Sequence, residues 1–142
     1  SITYTLTALG SSKSVTQEKP PVYYTVTVSK VRVPVVNDTR TCSFDAKVTL
    51  YIMGNTLSTT ITCNPYASGG VTYYAEFNNI VGSYEEGSNV TVSYQAEVRV
   101  ASTSGCSAAG GGSPSGTITT YYSISENKTY TTTVTTSETT IR

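Results

Sequence analysis

Residues 43–63 constrain this chain more than any other stretch. Phe44, Ala46, Val48, Leu50 and Ile52 alternate with Ser43, Asp45, Lys47, Thr49 and Tyr51. A period of two puts every second side chain on one face of an extended strand, whereas a helix would scatter the same residues around its axis. Gly54-Asn55 then reads as a two-residue hairpin turn of the glycine-first type. Closing it pairs Met53 with Thr56, and hence Ile52 with Leu57, Leu50 with Thr59 and Val48 with Ile61. A one-residue slip would throw the apolar set of one strand to the wrong face, so the pattern determines this register.

The same period recurs along the chain. Val22, Tyr24, Val26 and Val28 share one parity, and Val31, Val33 and Val35 the other. That change predicts a bulge near Ser29-Lys30 or a strand passing from one sheet to another. Pro34 cannot donate to a ladder and predicts an edge or a strand end. Val90, Val92, Tyr94, Ala96, Val98 and Val100 alternate with polar residues in a further long strand. Ile118–Ile124 facing Tyr130–Thr136 across Glu126-Asn127-Lys128 predicts a last hairpin. Ser102–Gly116, with Gly110-Gly111-Gly112, reads as a flexible loop or a long crossover. No stretch carries a helical period. The expected fold is therefore all-β, an antiparallel β-sandwich of Ig-like or jelly-roll type.

Composition narrows the chemistry. Histidine is absent, which removes Ser/His/Asp and Cys/His nucleophile arrangements. Glu85-Glu86 lies in a polar turn and reads as solvated, and the triple glycine lacks the Lys-Ser/Thr of a phosphate loop. The expectation is no enzyme, no cofactor and no metal site. Nine basic residues balance nine acidic ones, so no nucleic-acid partner is expected. No apolar run is long enough for membrane insertion. The few carboxylates have outward parity where they lie on strands, as at Asp45, Glu76 and Glu97, which predicts a fold that tolerates acid.

Three cysteines, Cys42, Cys63 and Cys106, imply one disulfide and one leftover thiol. The hairpin register sets Cys63 opposite Ala46, roughly 13 Å along the strand from Cys42. A Cys42–Cys63 bridge would then need the strand to bend before Phe44, and Cys106 is a rival partner for either. Three Asn-x-Thr sequons, at Asn37, Asn89 and Asn127, fall at wet-face or turn positions and are expected to carry N-glycans. Together with the start at Ser1 they predict an exported, extracellular protein.

The remaining feature is the opening stretch. Ile2, Tyr4, Leu6 and Ala8 alternate with Thr3, Thr5 and Thr7, and a polar segment rich in Ser, Lys and Pro follows. Residues 1–9 read as a strand, 10–21 as a tether and 22–142 as the sandwich domain. The strand pairs either within its own domain or in a neighbouring copy, since the tether reaches up to roughly 40 Å. An amphipathic N-terminal strand, a Thr/Ser/Tyr-rich β-domain and the sequons resemble the archaeal thread-type filament subunits, which assemble by donor-strand complementation as bacterial chaperone-usher pilins do. That resemblance implies an extracellular homopolymer serving adhesion or biofilm, with Ile2, Tyr4, Leu6 and Ala8 as the donor-strand interface. The alternative is a secreted monomeric binding module or viral coat protein, its first strand paired in its own domain.

Overall fold

The computed structural model describes residues 2–8, 11–17, 19–65 and 70–142, with backbone pairing alone for 2–8 and 11–17. The expected ends of the donor strand, at Ser1 and Leu9, and Gly10 and Glu18 of the expected tether lie outside the described residues. Among those described, every regular element is a strand: β1 Ile2–Ala8, β2 Ser11–Gln17, β3 Tyr23–Asn37, β4 Phe44–Ile52, β5 Asn55–Cys63, β6 Val71–Glu85, β7 Val90–Thr103, β8 Gly111–Gly112, β9 Ser115–Tyr121, β10 Lys128–Tyr130, β11 Val134–Thr135 and β12 Thr139–Ile141.

β3 is the spine of one sheet. β6 runs antiparallel along one of its edges, and β10, β11 and β12 run parallel along the other. The parity change at Ser29-Lys30 is present, but neither alternative expected for it occurs in simple form. Buried positions skip from Val28 to Val31 in β3 and from Phe77 to Ile80 in β6, while the register stays constant from Tyr23↔Glu85 to Asn37↔Val71. Both strands change face together at Ser29 and Asn79, and Asn79 takes the left-handed conformation that makes this possible, with φ +50°.

Two expectations are corrected here. Pro34 is buried inside the sheet instead of marking its edge. The sheet accommodates it because the parallel ladder is interrupted between Thr135 and Thr139, alongside the missing N–H. The expected last hairpin also does not form. β9 pairs with β7, and the tail crosses to the other sheet. A Thr-rich two-stranded ribbon buries little on its own. Laid along β3, the tail instead fills the second edge of the spine and carries Ile124 and Ile141 into the core at 1% and 0% exposure.

The second sheet has the order β5–β4–β7, with β8 and β9 sharing the far edge of β7. The β4–β5 hairpin turns at Met53-Gly54, both at positive φ (49° and 73°), instead of at Gly54-Asn55. Two positive φ values make a type I′ turn, whose twist matches the strands. The pairs become Leu50↔Leu57, Val48↔Thr59, Ala46↔Ile61 and Phe44↔Cys63. The register therefore differs by two residues from the expected one, and every side chain keeps its face.

The inner faces of the two sheets meet in one core, formed by Val26, Val28, Val31, Val33 and Val35 of β3 packed with Phe44, Ala46, Val48, Leu50 and Ile52 of β4 and with residues of β6 and β7. Each of the valine, leucine, isoleucine and phenylalanine side chains among them contributes about 1.5–3 kcal/mol of burial. This is a sandwich-like arrangement, as the alternation demanded. One lateral side is stitched across the sheets. Ala109 and Arg142 exchange both backbone hydrogen bonds, at 2.8 and 3.0 Å. Gly112 packs so closely on Thr139 that a Cβ would collide with it. Gly110, Gly111, Gly112 and Gly116 thus serve close approach, whereas Gly105 has open space around it.

Cys42 pairs with Cys106, their Cα atoms 5.6 Å apart, and Cys63 is a buried free thiol. Closing a loop of 64 residues stabilises the fold by about 4 kcal/mol on the chain-entropy view. Such a bond fits an oxidising, extracellular compartment. Burial, aided by the charge of Asp45, pushes the Cys63 thiol up to about 11 from 9.0. A raised folded value favours the neutral thiol, so its contribution is complete below pH 9 and is lost as pH rises toward 11. The loss amounts to about 2–3 kcal/mol. Denaturant titrations at pH 8 and at pH 11 should show the wild type losing this stability relative to Cys63→Ala. A thiol reagent at pH 8 should label the chain only after unfolding.

Acid acts on few groups. The Lys128 ammonium, 2.7 Å from Glu126 Oε1, holds that carboxyl below its ordinary range through a hydrogen bond and its charge. A lowered folded value means its contribution is present at neutral pH and lost as pH falls through it, and for this exposed pair it is small. Far-UV circular dichroism should therefore keep its β signature from pH 7 to about pH 3, and a cooperative loss in that window would contradict this placement of the carboxylates.

Candidate functional site

β1 and β2 pair antiparallel from Ile2↔Gln17 to Ala8↔Ser11, as a two-stranded sheet separate from the two sheets of the sandwich. Of the strand expected over residues 1–9, Ile2–Ala8 is described and is a strand. Ser11–Gln17, expected within the tether, is a strand as well. Its sequence gave little sign of it, because Val15 is the one apolar residue among its polar neighbours. The residues in register with Ile2, Tyr4, Leu6 and Ala8 are Gln17, Val15, Lys13 and Ser11. Three of these four partners are polar residues, and among the described residues β1 has no ladder partner on its other edge. A two-stranded ribbon of this kind is marginal in water, and a third strand or a packed face is what stabilises it.

The sandwich has edges of its own. β5 pairs with β4 on one side, and no ladder among the described residues joins its other side. It runs beside β6 and is tied to it at both ends by side chains. Asn55 Nδ2 donates to the Val81 carbonyl at 2.9 Å, and the Tyr73 hydroxyl donates to the Asn64 carbonyl at 3.3 Å. Between these ties Leu57 and Ile61, both on the core-facing side of β5, are only half-buried.

The three sequons separate on geometry. Asn37, at the end of β3, is fully buried, and its Nδ2 donates to the Cys42 and Cys63 carbonyls at 2.8 and 3.1 Å. Its Oδ1 accepts from Thr39 N at 2.9 Å and lies 2.8 Å from Thr39 Oγ1. An N-glycan is attached through Nδ2, so the glycan expected on Asn37 is incompatible with this fold. The sequence pattern hid this, since a buried Asn that joins two strand ends beside a disulfide reads like any other sequon. Asn89 and Asn127 are exposed, and each uses its side chain as an acceptor. Asn89 Oδ1 takes the N–H of Ser123 at 2.9 Å, and Asn127 Oδ1 takes that of Thr25 at 2.9 Å. In both, Nδ2 makes no hydrogen bond among the described residues. Asn127 sits where the chain crosses between sheets instead of at a hairpin tip.

The adjacent tyrosines divide as strand geometry requires. Tyr23, Tyr74 and Tyr122 are exposed, and their neighbours Tyr24, Tyr73 and Tyr121 are half-buried against the core. Arg32 stacks 3.7 Å from the Tyr74 ring centroid and pairs with Glu76, which makes this outer face a surface network. Glu85 ends β6 and Glu86 begins the turn that follows, where the Ser88 and Glu86 N–H groups close on the carbonyls of Glu85 and Val22. Among the described residues no three His, Cys, Asp or Glu side chains gather as metal ligands.

Glycopeptide mapping of native material should find sugar on Asn89 and Asn127 and none on Asn37. Asn37→Asp should lower stability by about 1–3 kcal/mol, because a carboxylate cannot donate to the two carbonyls that Nδ2 now satisfies.

No protein family, curated protein or solved structure matches this chain.

Proposed function

We propose that the chain is the structural subunit of an extracellular homopolymeric filament, in which Ile2–Ala8 of each copy completes the β-sandwich of the next. The observation that carries this reading is that β1, a charge-free seven-residue strand, pairs among the described residues with β2 alone, in a sheet apart from the two of the sandwich. The thread-type subunits and chaperone-usher pilins that the sequence resembles use an N-terminal strand in this way. On this reading the chain has no catalytic role, its partners are further copies of itself, and glycans on Asn89 and Asn127 face the solvent around an adhesive or biofilm-forming fibre.

Burying Ile2 and Leu6 in a neighbour contributes about 1.5–3 kcal/mol each. Each ladder hydrogen bond adds about 0.5–1.5 kcal/mol. Association costs about 4–15 kcal/mol, so the joint needs both terms. The pairing of β1 with β2 in the same chain favours one second reading, a secreted monomeric binding module that carries the ribbon as an appendage.

Native size and negative-stain images separate the two. The full chain should form fibres, and a chain lacking residues 1–18 should stay monomeric. Leu6→Asp carries a charge into an apolar contact and should weaken association by at least about a hundredfold. Thr5→Asp, on the other face, should assemble normally. Fibres from the truncated chain, or equal behaviour of the two Asp variants, would remove the filament reading.

A further inference from the structure

We infer that the acceptor for β1 is the free edge of β5 in a neighbouring copy, and that β1 docks there while still paired with its own β2. This rests on the proposed donor-strand function and adds the place where the strand goes.

The four lateral edges of the two sheets are not equivalent. An exposed strand edge invites pairing unless charge, proline, a bulge or a covering segment blunts it. β6 carries Glu76 and Glu85 and the kink at Asn79. The β10–β11–β12 edge is broken into three short pieces. β9 carries a register shift against β7 between Val92 and Ser93 and contains Gly116. β5 has none of these devices: its nine residues, Asn-Thr-Leu-Ser-Thr-Thr-Ile-Thr-Cys, hold no charge, no proline and no glycine, and its ladder to β4 is unbroken. Among the described residues it is the one edge of the sandwich that carries none of these devices, and its side-chain ties to β6 lie at its two ends.

The two strands also match in length and pattern. β1 has seven residues, and between the ties at Asn55 and Asn64 β5 offers Thr56–Cys63. Leu57 and Ile61 are half-buried on the core side of β5, while Thr56, Ser58, Thr60 and Thr62 face solvent. A neighbour's strand with Ile2, Tyr4, Leu6 and Ala8 on the same side as Leu57 and Ile61 extends the core face over the seam between β5 and β6. Its threonines then continue the hydroxyl rows of the outer face.

The ribbon need not open for this. β1 offers its free edge, and β2 becomes the new outermost strand, bringing Lys13 and Gln17 to an edge that lacked charge. The lateral side opposite is unavailable for the same addition between the sheets. There Ala109 pairs with Arg142, and Gly112 abuts Thr139.

The test is an oxidation scan in the full chain. Thr5→Cys is combined in turn with a cysteine at Ser58, Thr60 or Thr62 of β5, or with one at Thr117 of β9 or Asn78 of β6. Neighbouring strands bring facing Cα atoms to about 4.5–5.5 Å, within disulfide range. Cys63 stays in place, since its buried thiol does not compete. The inference expects a ladder of cross-linked multimers on non-reducing gels from at least one β5 pair and none from Thr117 or Asn78. A ladder through Thr117 or Asn78 instead would overturn the β5 assignment and leave trans docking intact. Monomers throughout, with no assembly by light scattering, would overturn this inference together with the filament reading.

Discussion

A β-strand cannot satisfy its own backbone, and that constraint runs through the whole molecule. Each N–H and C=O along a strand needs a partner on a neighbouring strand or in water. β3 meets most of it, with β6 on one side and the three short parallel strands of the tail on the other. The tail carries too few apolar residues to form a stable ribbon of its own, yet beside β3 it closes an edge and seals the core with Ile141. Where no ladder meets it among the described residues, at one edge each of β1 and β5, the chain has strands with neither charge nor proline to turn a partner away. Fold and proposed assembly are thus two outcomes of one requirement.

The junction of Asn37, Cys42, Cys63 and Cys106 fixes one end of the sandwich. Asn37 joins the end of β3 to the loop that follows and to the end of β5, and the disulfide adds the segment after β7. A buried amide with both functions satisfied holds its neighbours more specifically than an apolar contact of the same size, because every alternative packing leaves a polar group unpaired. The start and end of β5 are therefore anchored, at Asn55 and Cys63, while its length stays open. An acceptor strand benefits from this, since the edge is presented already extended.

Much of this was legible in the sequence where the period of two was strong. The faces of β3, β4 and β7 follow directly from the alternation, and the in–out division of Tyr23-Tyr24 and Tyr73-Tyr74 follows from the same rule. The hairpin register was missed by two residues because Gly54 can occupy either position of a two-residue turn. The core faces do not distinguish registers that differ by two. Local alternation in the tail suggests a hairpin because it cannot reveal a parallel partner about a hundred residues away. β2 was missed because Ser11–Gln17 is polar on both faces, and such a strand exists only through its neighbour. The open edge of β5 was visible in principle, as nine residues without charge, proline or glycine next to a tight turn.

The central claim is that β1 finds its lasting partner in another copy. Hydrogen exchange of the Ile2–Ala8 amides, followed as a function of protein concentration, tests it most directly, because pairing within one chain is independent of concentration and pairing between chains is not. The account predicts weak protection in dilute solution, rising with concentration in step with protection along Thr56–Thr62 of β5. Protection of Ile2–Ala8 that stays the same across the whole range would contradict it.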